Sequence, residues 1–176
     1  MTYAKIINEQ TKEVSIGLGT DTEFYKSIGM EEMEVEQSYD GQWYVKGYAP
    51  SEPIEDLKAA KLAQINTWTA SKITGGFLSG GVRYDSDMET QTTMQGIALN
   101  VNTERFATNY PHGIPVRGYD EGSTEKTIHY LTAEEVLMFC ADLSEHIGRC
   151  KLDGWTMQQA VLEATTKEEL EAIILD

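Results

Sequence analysis

Three acidic side chains at alternate positions, Asp85, Asp87 and Glu89, resemble the start of a metal-binding loop. Alternating carboxylates open the calcium loop of an EF-hand, which also needs Gly at its sixth position and Glu at its twelfth. Counted from Asp85, those positions hold Thr90 and Gly96. The segment therefore lacks both the tight turn and the bidentate ligand. The end of a strand followed by a helix cap explains its acidic residues better.

A second arrangement places His146 four residues before Cys150, with Cys140 upstream, so a histidine and a thiol share one helix face. Structural zinc sites take four ligands in closely spaced pairs. The remaining histidines, His112 and His129, have no neighbouring Cys or His. We therefore predict no metal site. The two cysteines are ten residues apart, which is about 15 Å on a continuous helix and predicts free thiols.

The sequence contains no nucleophile elbow of the form Gly-x-Ser-x-Gly, no Walker loop and no dinucleotide-binding glycine loop. The glycine-rich segment 76–81 fits a hairpin turn instead. We predict a protein that is not an enzyme, with no catalytic residues and no cofactor-binding residues. A deep pocket enclosing His112 or His129 together with a carboxylate would favour an enzyme, because triad members converge in space and not in sequence.

Four aromatic residues lie close together in the first fifty residues, namely Tyr39, Trp43, Tyr44 and Tyr48. Tyr and Trp combine a large apolar area with a polar tip, so a hairpin that carries them is a candidate interaction face for a protein or a sugar. Strand alternation places Trp43 and Val45 on one face and Tyr44 and Tyr48 on the other. One of these faces is expected to be core.

The charge of the chain excludes several classes of partner. It has 14 Lys+Arg against 29 Asp+Glu, a formal net charge of −15. Nucleic-acid binding depends on Lys and Arg neutralising phosphates, and anionic membranes attract basic segments, so we expect neither partner. The acidity suits solubility, and a surface matched to a basic partner is the alternative. With no apolar run of about 18 residues and no secretory signal, the sequence predicts a soluble protein.

The elements that position these residues form an α+β protein of two modules. Pro50 and Pro53 favour an extended connection, which divides residues 1–50 from residues 51–176. The first module is predicted as ββαββ: strands near residues 3–7 and 14–18, a helix, a strand near 33–37 and a return strand near 43–48. A capping box of Thr20 and Glu23 is expected to start the helix.

The second module is predicted to be mainly helical with short antiparallel β-hairpins. A long helix capped by Ser51 ends at Gly75, and one hairpin pairs residues 77–78 with 82–84. A second hairpin pairs residues 115–119 with 126–131, after a loop. Helices are expected to start at three further capping boxes and to be interrupted at two glycines. The capping boxes begin at Ser86, Thr132 and Thr166, and the interrupting glycines are Gly148 and Gly154. The helix that follows Ser86 is expected to bury Met94, Ile97, Ala98 and Val101.

The segment 65–87, with Gly75-Gly76-Phe77 and then Asp85-Ser86-Asp87, resembles a domain of unknown function common in tailed-bacteriophage proteins. The later Pro115-Val116-Arg117 strand, Leu131 to Glu135 and the helix with His146 are similar to its second half. Residues 1–50 are similar to N-terminal modules of short phage and prophage tail proteins. The resemblance implies a context and no catalytic residues.

The resemblance implies a non-enzymatic phage or prophage tail protein at the tail tip, baseplate or fibre. Such a virion component would be made in the host bacterial cytoplasm and would attach to other tail proteins. One alternative is a tail-fibre assembly chaperone. Another is a host-receptor or glycan-binding module that uses the aromatic hairpin. The sequence contains no sustained heptad repeat, so it does not predict a coiled-coil trimer. Formation of another kind of homo-oligomer stays open.

Overall fold

A computed structural model describes residues 2–176 of the chain. By the clustering of its backbone contacts the chain divides into a first unit that runs to Leu57 and a second unit, Lys58–Asp176. The first unit is built mainly from antiparallel strands, and the second combines helices with an antiparallel sheet. The predicted α+β fold class is confirmed.

The first unit holds five strands and one short helix. They are β1 (Thr2–Asn8), β2 (Glu13–Ile16), α1 (Thr22–Ser27), β3 (Glu31–Met33), β4 (Val35–Gln37) and β5 (Trp43–Val45). The strands form an antiparallel sheet of order β3-β1-β2-β5-β4. Ala4 and Val14 are buried at its centre.

The predicted ββαββ order is wrong by one strand. The segment expected as a single strand near 33–37 is split at Glu34 into β3 and β4, which lie at opposite edges of the sheet. Consecutive residues cannot bridge the roughly 19 Å between the edges of a flat five-stranded sheet. The sheet must therefore curl until its two edges meet, a closure that no local pattern encodes.

The second unit combines a long N-terminal helix, a four-stranded sheet and a longer C-terminal helix. Its elements are α2 (Ile54–Thr74, which begins in the first unit), β6 (Phe77–Ser79), β7 (Val82–Tyr84), α3 (Met88–Ala98), α4 (Glu104–Asn109), β8 (Ile114–Tyr119), β9 (Lys126–Leu131), α5 (Ala133–Glu163) and α6 (Lys167–Glu171). The antiparallel sheet has the order β6-β7-β8-β9. Both predicted hairpins are confirmed.

Aromatic packing between the sheet and α5 forms the core of the second unit. The ring of Phe139 on α5 meets Phe77 edge-on at 4.8 Å and Tyr84 at 5.0 Å between centroids. Of the predicted stripe of α3, Met94 is buried in this cluster and Ile97 and Ala98 pack against it; Val101 is buried there too, but it lies beyond the end of the helix at Ala98. Helix α4, in a segment predicted as loop, adds the buried ring of Phe106.

Helix α5 is continuous over 31 residues, so the predicted interruptions at Gly148 and Gly154 are wrong. Each glycine costs about 1 kcal/mol within a helix, and the packing of a long buried stripe offsets that cost. Cys140 and Cys150 are free thiols on this helix, as predicted. Ser51 does not cap α2, since the helix begins at Ile54 and the carbonyl of Pro53 accepts its first backbone bonds.

Two of the four predicted capping boxes are confirmed, those of Thr132 with Glu135 and of Thr166 with Glu169. The other two are wrong by one residue. Asp21, not Thr20, accepts the hydrogen bond of Phe24 N at 3.0 Å. Asp87, not Ser86, accepts from Thr90 N at 2.8 Å and starts α3. Asp is as good an N-cap as Ser or Thr, so sequence alone does not decide between neighbours.

The capping box of α5 predicts an acid-sensitive contribution to stability. Hydrogen bonds from the backbone and hydroxyl of Thr132 lower the pKa of Glu135 from its ordinary 4.5. A carboxyl with a lower pKa in the folded state stabilises the fold above its unfolded pKa, and this contribution is lost as pH falls through the folded pKa.

Replacement of Glu135 with Gln is therefore expected to flatten the fall in unfolding free energy between about pH 5 and pH 3. Urea unfolding of both proteins across this range measures the effect. The control is Glu134→Gln, which removes a first-turn carboxylate that accepts no cap bond among residues 2–176. An equally flattened curve in the control would contradict the assignment to the capping box.

Candidate functional site

The four aromatic residues predicted as an interaction face occupy different environments. Tyr39 is 53% exposed and Tyr48 is 57% exposed, both in turns beside β5. Trp43 is half-buried and lies directly opposite Val14 in the pairing of β2 with β5. Trp43 therefore lies on the same face of the sheet as the buried Val14. The structure thus does not bring all four to one exposed face.

Tyr44 is buried, with 7% of its surface exposed. It lies on the face opposite Trp43, as alternation predicts, but its hydroxyl lies 3.4 Å from Asp40 Oδ2. Burial raises the pKa of this phenol, and the charge of Asp40 adds to the shift. Tyr44 therefore supports the turn between β4 and β5, and only Tyr39 and Tyr48 present their rings at the surface. Alternation assigns residues to the two faces of a strand, but it does not say which face is covered.

The segments Gly75-Gly76-Phe77 and Asp85-Ser86-Asp87 form a joint between α2 and the sheet, in which Phe77 and Ser86 are buried and Gly75 and Asp87 are exposed. Ser86 is fully buried; its hydroxyl donates to Ile73 O at 2.5 Å and accepts from Gly76 N at 2.9 Å. Gly76 has a φ of +95°, and an added Cβ would lie 2.9 Å from Tyr84 O. These residues therefore fix the end of α2 against the start of the hairpin and serve the fold.

A cleft of about 410 Å³ lies in the second unit beside β9. Its lining includes His129 and Glu135, so the structure brings a histidine and a carboxylate to one cleft. This is the arrangement that would favour an enzyme. The buried Tyr84 also lines the cleft, and burial raises the pKa of its phenol.

Both groups of the cleft already hold structural hydrogen bonds. His129 Nε2 lies 2.9 Å from Thr127 Oγ1 and 3.6 Å from Asp120 Oδ1. Glu135 Oε2 accepts from the backbone and the hydroxyl of Thr132, both at 2.8 Å. The arrangement can receive a small polar group. His129 thus contacts Thr127, and Glu135 contacts Thr132.

His146 joins α5 to the end of α2. Its Nε2 lies 3.0 Å from Lys72 O and 3.3 Å from Ile73 O, two carbonyls in the last turn of α2 to which it can donate. Cys150 Sγ lies 3.8 Å from the same ring nitrogen. Burial raises the pKa of both cysteine thiols, which keeps them protonated. The His–Cys pair predicted from spacing is thus adjacent and serves packing.

Within residues 2–176, no group of three or more His, Cys, Asp or Glu side chains is placed to hold a metal ion. None of the helices in that range is both long enough and apolar enough to cross a membrane.

The fold and its contacts define a two-unit α+β protein whose sequence motifs serve mainly as structural joints. Residues 56–174 match the family described as Domain of unknown function (DUF4376). This match covers more than half of the 176 residues, so the chain belongs to that family. No curated protein sequence matches the chain, and no solved structure matches it.

Proposed function

We propose that the protein is a non-enzymatic tail component of a phage or prophage, placed at the tail tip, baseplate or fibre, and that it attaches to other tail proteins. The observation that carries the proposal is the exposure of Tyr39 and Tyr48 on the first unit. Exposed tyrosines next to the strands of a small sheet are typical anchors of protein interfaces. The tail context rests on the resemblance of residues 1–50 and 65–87 to tail-protein sequences.

Attachment fits the second unit better than catalysis does. The candidate pair in the cleft, His129 and Glu135, already supports Thr127 and Thr132. A general acid–base pair needs both groups within reach of a substrate proton. The formal charge of −15 favours partners other than nucleic acid and anionic membranes.

The context is tested by mass spectrometry of purified particles from the phage or prophage that encodes the chain. A tail component is present at a fixed copy number in finished particles. An assembly chaperone co-purifies with fibre protein from the lysate and is absent from particles. Absence from both fractions would contradict the tail context itself.

The attachment surface is tested with Tyr39→Ala combined with Tyr48→Ala. Loss of two interface anchors is expected to lower incorporation into particles by at least about tenfold, since each such anchor contributes on the order of a tenfold change in affinity. The control is Tyr130→Ala on the second unit, where the ring is 59% exposed. Quantitative mass spectrometry of particles measures incorporation, and circular dichroism verifies folding. Normal incorporation of the folded double variant would contradict this surface.

The receptor-binding or glycan-binding alternative uses the same aromatic residues. Adsorption of particles to host cells distinguishes it from attachment to another tail protein. If the double variant is incorporated normally but the particles no longer adsorb to host cells, the rings face the host and not another tail protein. Loss of incorporation with the control unaffected supports attachment.

A further inference from the structure

Helix α5 carries an uncharged stripe on its solvent side. All eight residues of this stripe are exposed, and the large ones are strongly so: Leu152 at 61%, Trp155 at 62% and Leu162 at 59%. They follow alternating spacings of three and four residues, except for two successive spacings of four, and so occupy an arc of about 80° along the helix. The α5 stripe consists of Leu137, Ala141, Ser144, Gly148, Leu152, Trp155, Gln159 and Leu162.

The position of the stripe makes its composition unusual. The buried residues of α5, among them Val136, Phe139, Leu143 and Val161, lie on the opposite side of the helix. The side of an amphipathic helix that faces away from the core is normally charged or polar. Yet none of the eight residues of the stripe is charged, and charges lie near it at Glu134, one turn before Leu137, and at Glu145 and Lys151 on its two edges. An exposed apolar patch of this kind marks an interaction surface.

The order of large and small side chains along the stripe is self-complementary when two copies of α5 run antiparallel. Leu137 begins the stripe and is followed by three small residues, Ala141, Ser144 and Gly148, whereas the second half holds Leu152, Trp155, Gln159 and Leu162. When two copies run antiparallel about a centre near residue 150, Trp155 of one copy faces Ser144 of the other and Leu152 faces Gly148. Leu137 then faces Leu162. Each large side chain thus meets a small one or an equal, which is how helices interlock.

We propose that α5 pairs with α5 of a second copy of this chain, antiparallel and related by a two-fold axis. A parallel pair would oppose Trp155 to Trp155 and leave a gap at Gly148, so size excludes it. Charge favours a second copy too. A stripe without charges meets itself without like-charge repulsion, in a chain that otherwise carries −15. This pairing does not depend on the tail function.

The pairing is expected to be reversible. From Leu137 to Leu162 the stripe spans about 38 Å of helix, so one helix face buries an area at the low end of stable interfaces. The expected dissociation constant is therefore in the micromolar range. Sedimentation equilibrium of the full chain between about 1 and 200 μM is the direct measurement.

Trp155→Glu is expected to weaken the dimer at least tenfold, because it replaces a central apolar anchor by a charge. The matched control is Leu99→Glu, which adds the same charge at a site that is 86% exposed and outside the stripe. The control is expected to dimerise as the wild type does. A monomer across the whole concentration range, or equal effects of both variants, would overturn the proposal.

The direction of pairing is tested by oxidation of cysteine variants. The double variant Ala141→Cys with Gln159→Cys is expected to form disulfide-linked dimers, because these positions face each other in the antiparallel pair. Either single variant is expected to remain unlinked, since identical positions are then about 27 Å apart along the axis. Linked dimers of the single variants would indicate parallel helices and contradict the proposed arrangement.

Discussion

Replacement of Ser86 with Ala is expected to lower the free energy of unfolding by about 2 to 3 kcal/mol, although the change removes one oxygen atom. The hydroxyl is fully buried and connects Ile73 O to Gly76 N. Without it, the N–H of the half-buried Gly76 loses its partner, and a donor left unsatisfied away from water costs about 1 to 3 kcal/mol. Ile73 O keeps a contact with His146 Nε2 at 3.3 Å, so most of the loss is expected at Gly76.

The matched control for Ser86 is Asp87→Ala at the next position. Asp87 accepts one hydrogen bond at the exposed start of α3, and loss of an N-cap costs about 1 kcal/mol. Urea denaturation of the two variants measures the difference. If Ser86 were only the N-cap, as the capping-box pattern predicts, Ser86→Ala would cost only about 1 kcal/mol and Asp87→Ala would be close to neutral. A smaller loss for Ser86→Ala than for Asp87→Ala would contradict the structural joint.

Most of the secondary structure could be predicted because its signals are local. The hairpins of the second unit follow from short strand segments on either side of glycine-containing turns, and β6–β9 confirm them. The boxes at Thr132 and Thr166 are correct, since cap and first turn lie within four residues. The inward stripe of α3 is likewise set by its own 3.6-residue period.

The errors in the predicted structure arise where contacts with a distant part of the chain determine the local conformation or burial. In the first sheet, the expected strand near 33–37 is split at Glu34, because its two halves, β3 and β4, pair at opposite edges of the sheet. Ser86 matches a cap pattern but is drawn into the joint with α2. Tyr44 belongs to an aromatic group in sequence, yet it is buried.

The α5 stripe was detectable from the sequence in principle. The 3–4 spacing of Leu152, Trp155 and Leu162 is visible, but the same helix has a stronger apolar period on its buried side. Two overlapping stripes on one helix obscure each other until the structure shows which side is buried. The prediction of helix interruptions at Gly148 and Gly154 also hides the stripe, because its spacing continues across both positions on one unbroken helix.

The two glycines of α5 should respond to alanine in opposite directions. Gly154→Ala is expected to destabilise the protein by about 2 kcal/mol or more, because overpacking in a fitted contact costs about 1 to 3 kcal/mol. Gly154 is buried, and an added Cβ would lie 2.3 Å from Thr69 Oγ1 and 3.2 Å from its methyl carbon. Gly148 has no atom within 4 Å of that position, so Gly148→Ala is expected to stabilise by about 0.5 to 1 kcal/mol through helix propensity.

A double-mutant cycle assigns the effect of Gly154 to its contact with α2. Thr69 Oγ1 is buried without a hydrogen-bond partner in residues 2–176, so Thr69→Ala alone is expected to be close to neutral or mildly stabilising. In the Thr69→Ala background, Gly154→Ala should lose most of its cost, because the oxygen and methyl group that it strikes are gone. Urea unfolding, at dilutions where the chain is monomeric, gives the coupling energy, expected above about 1 kcal/mol. Additive effects would mean that α5 does not approach α2 closely at Gly154.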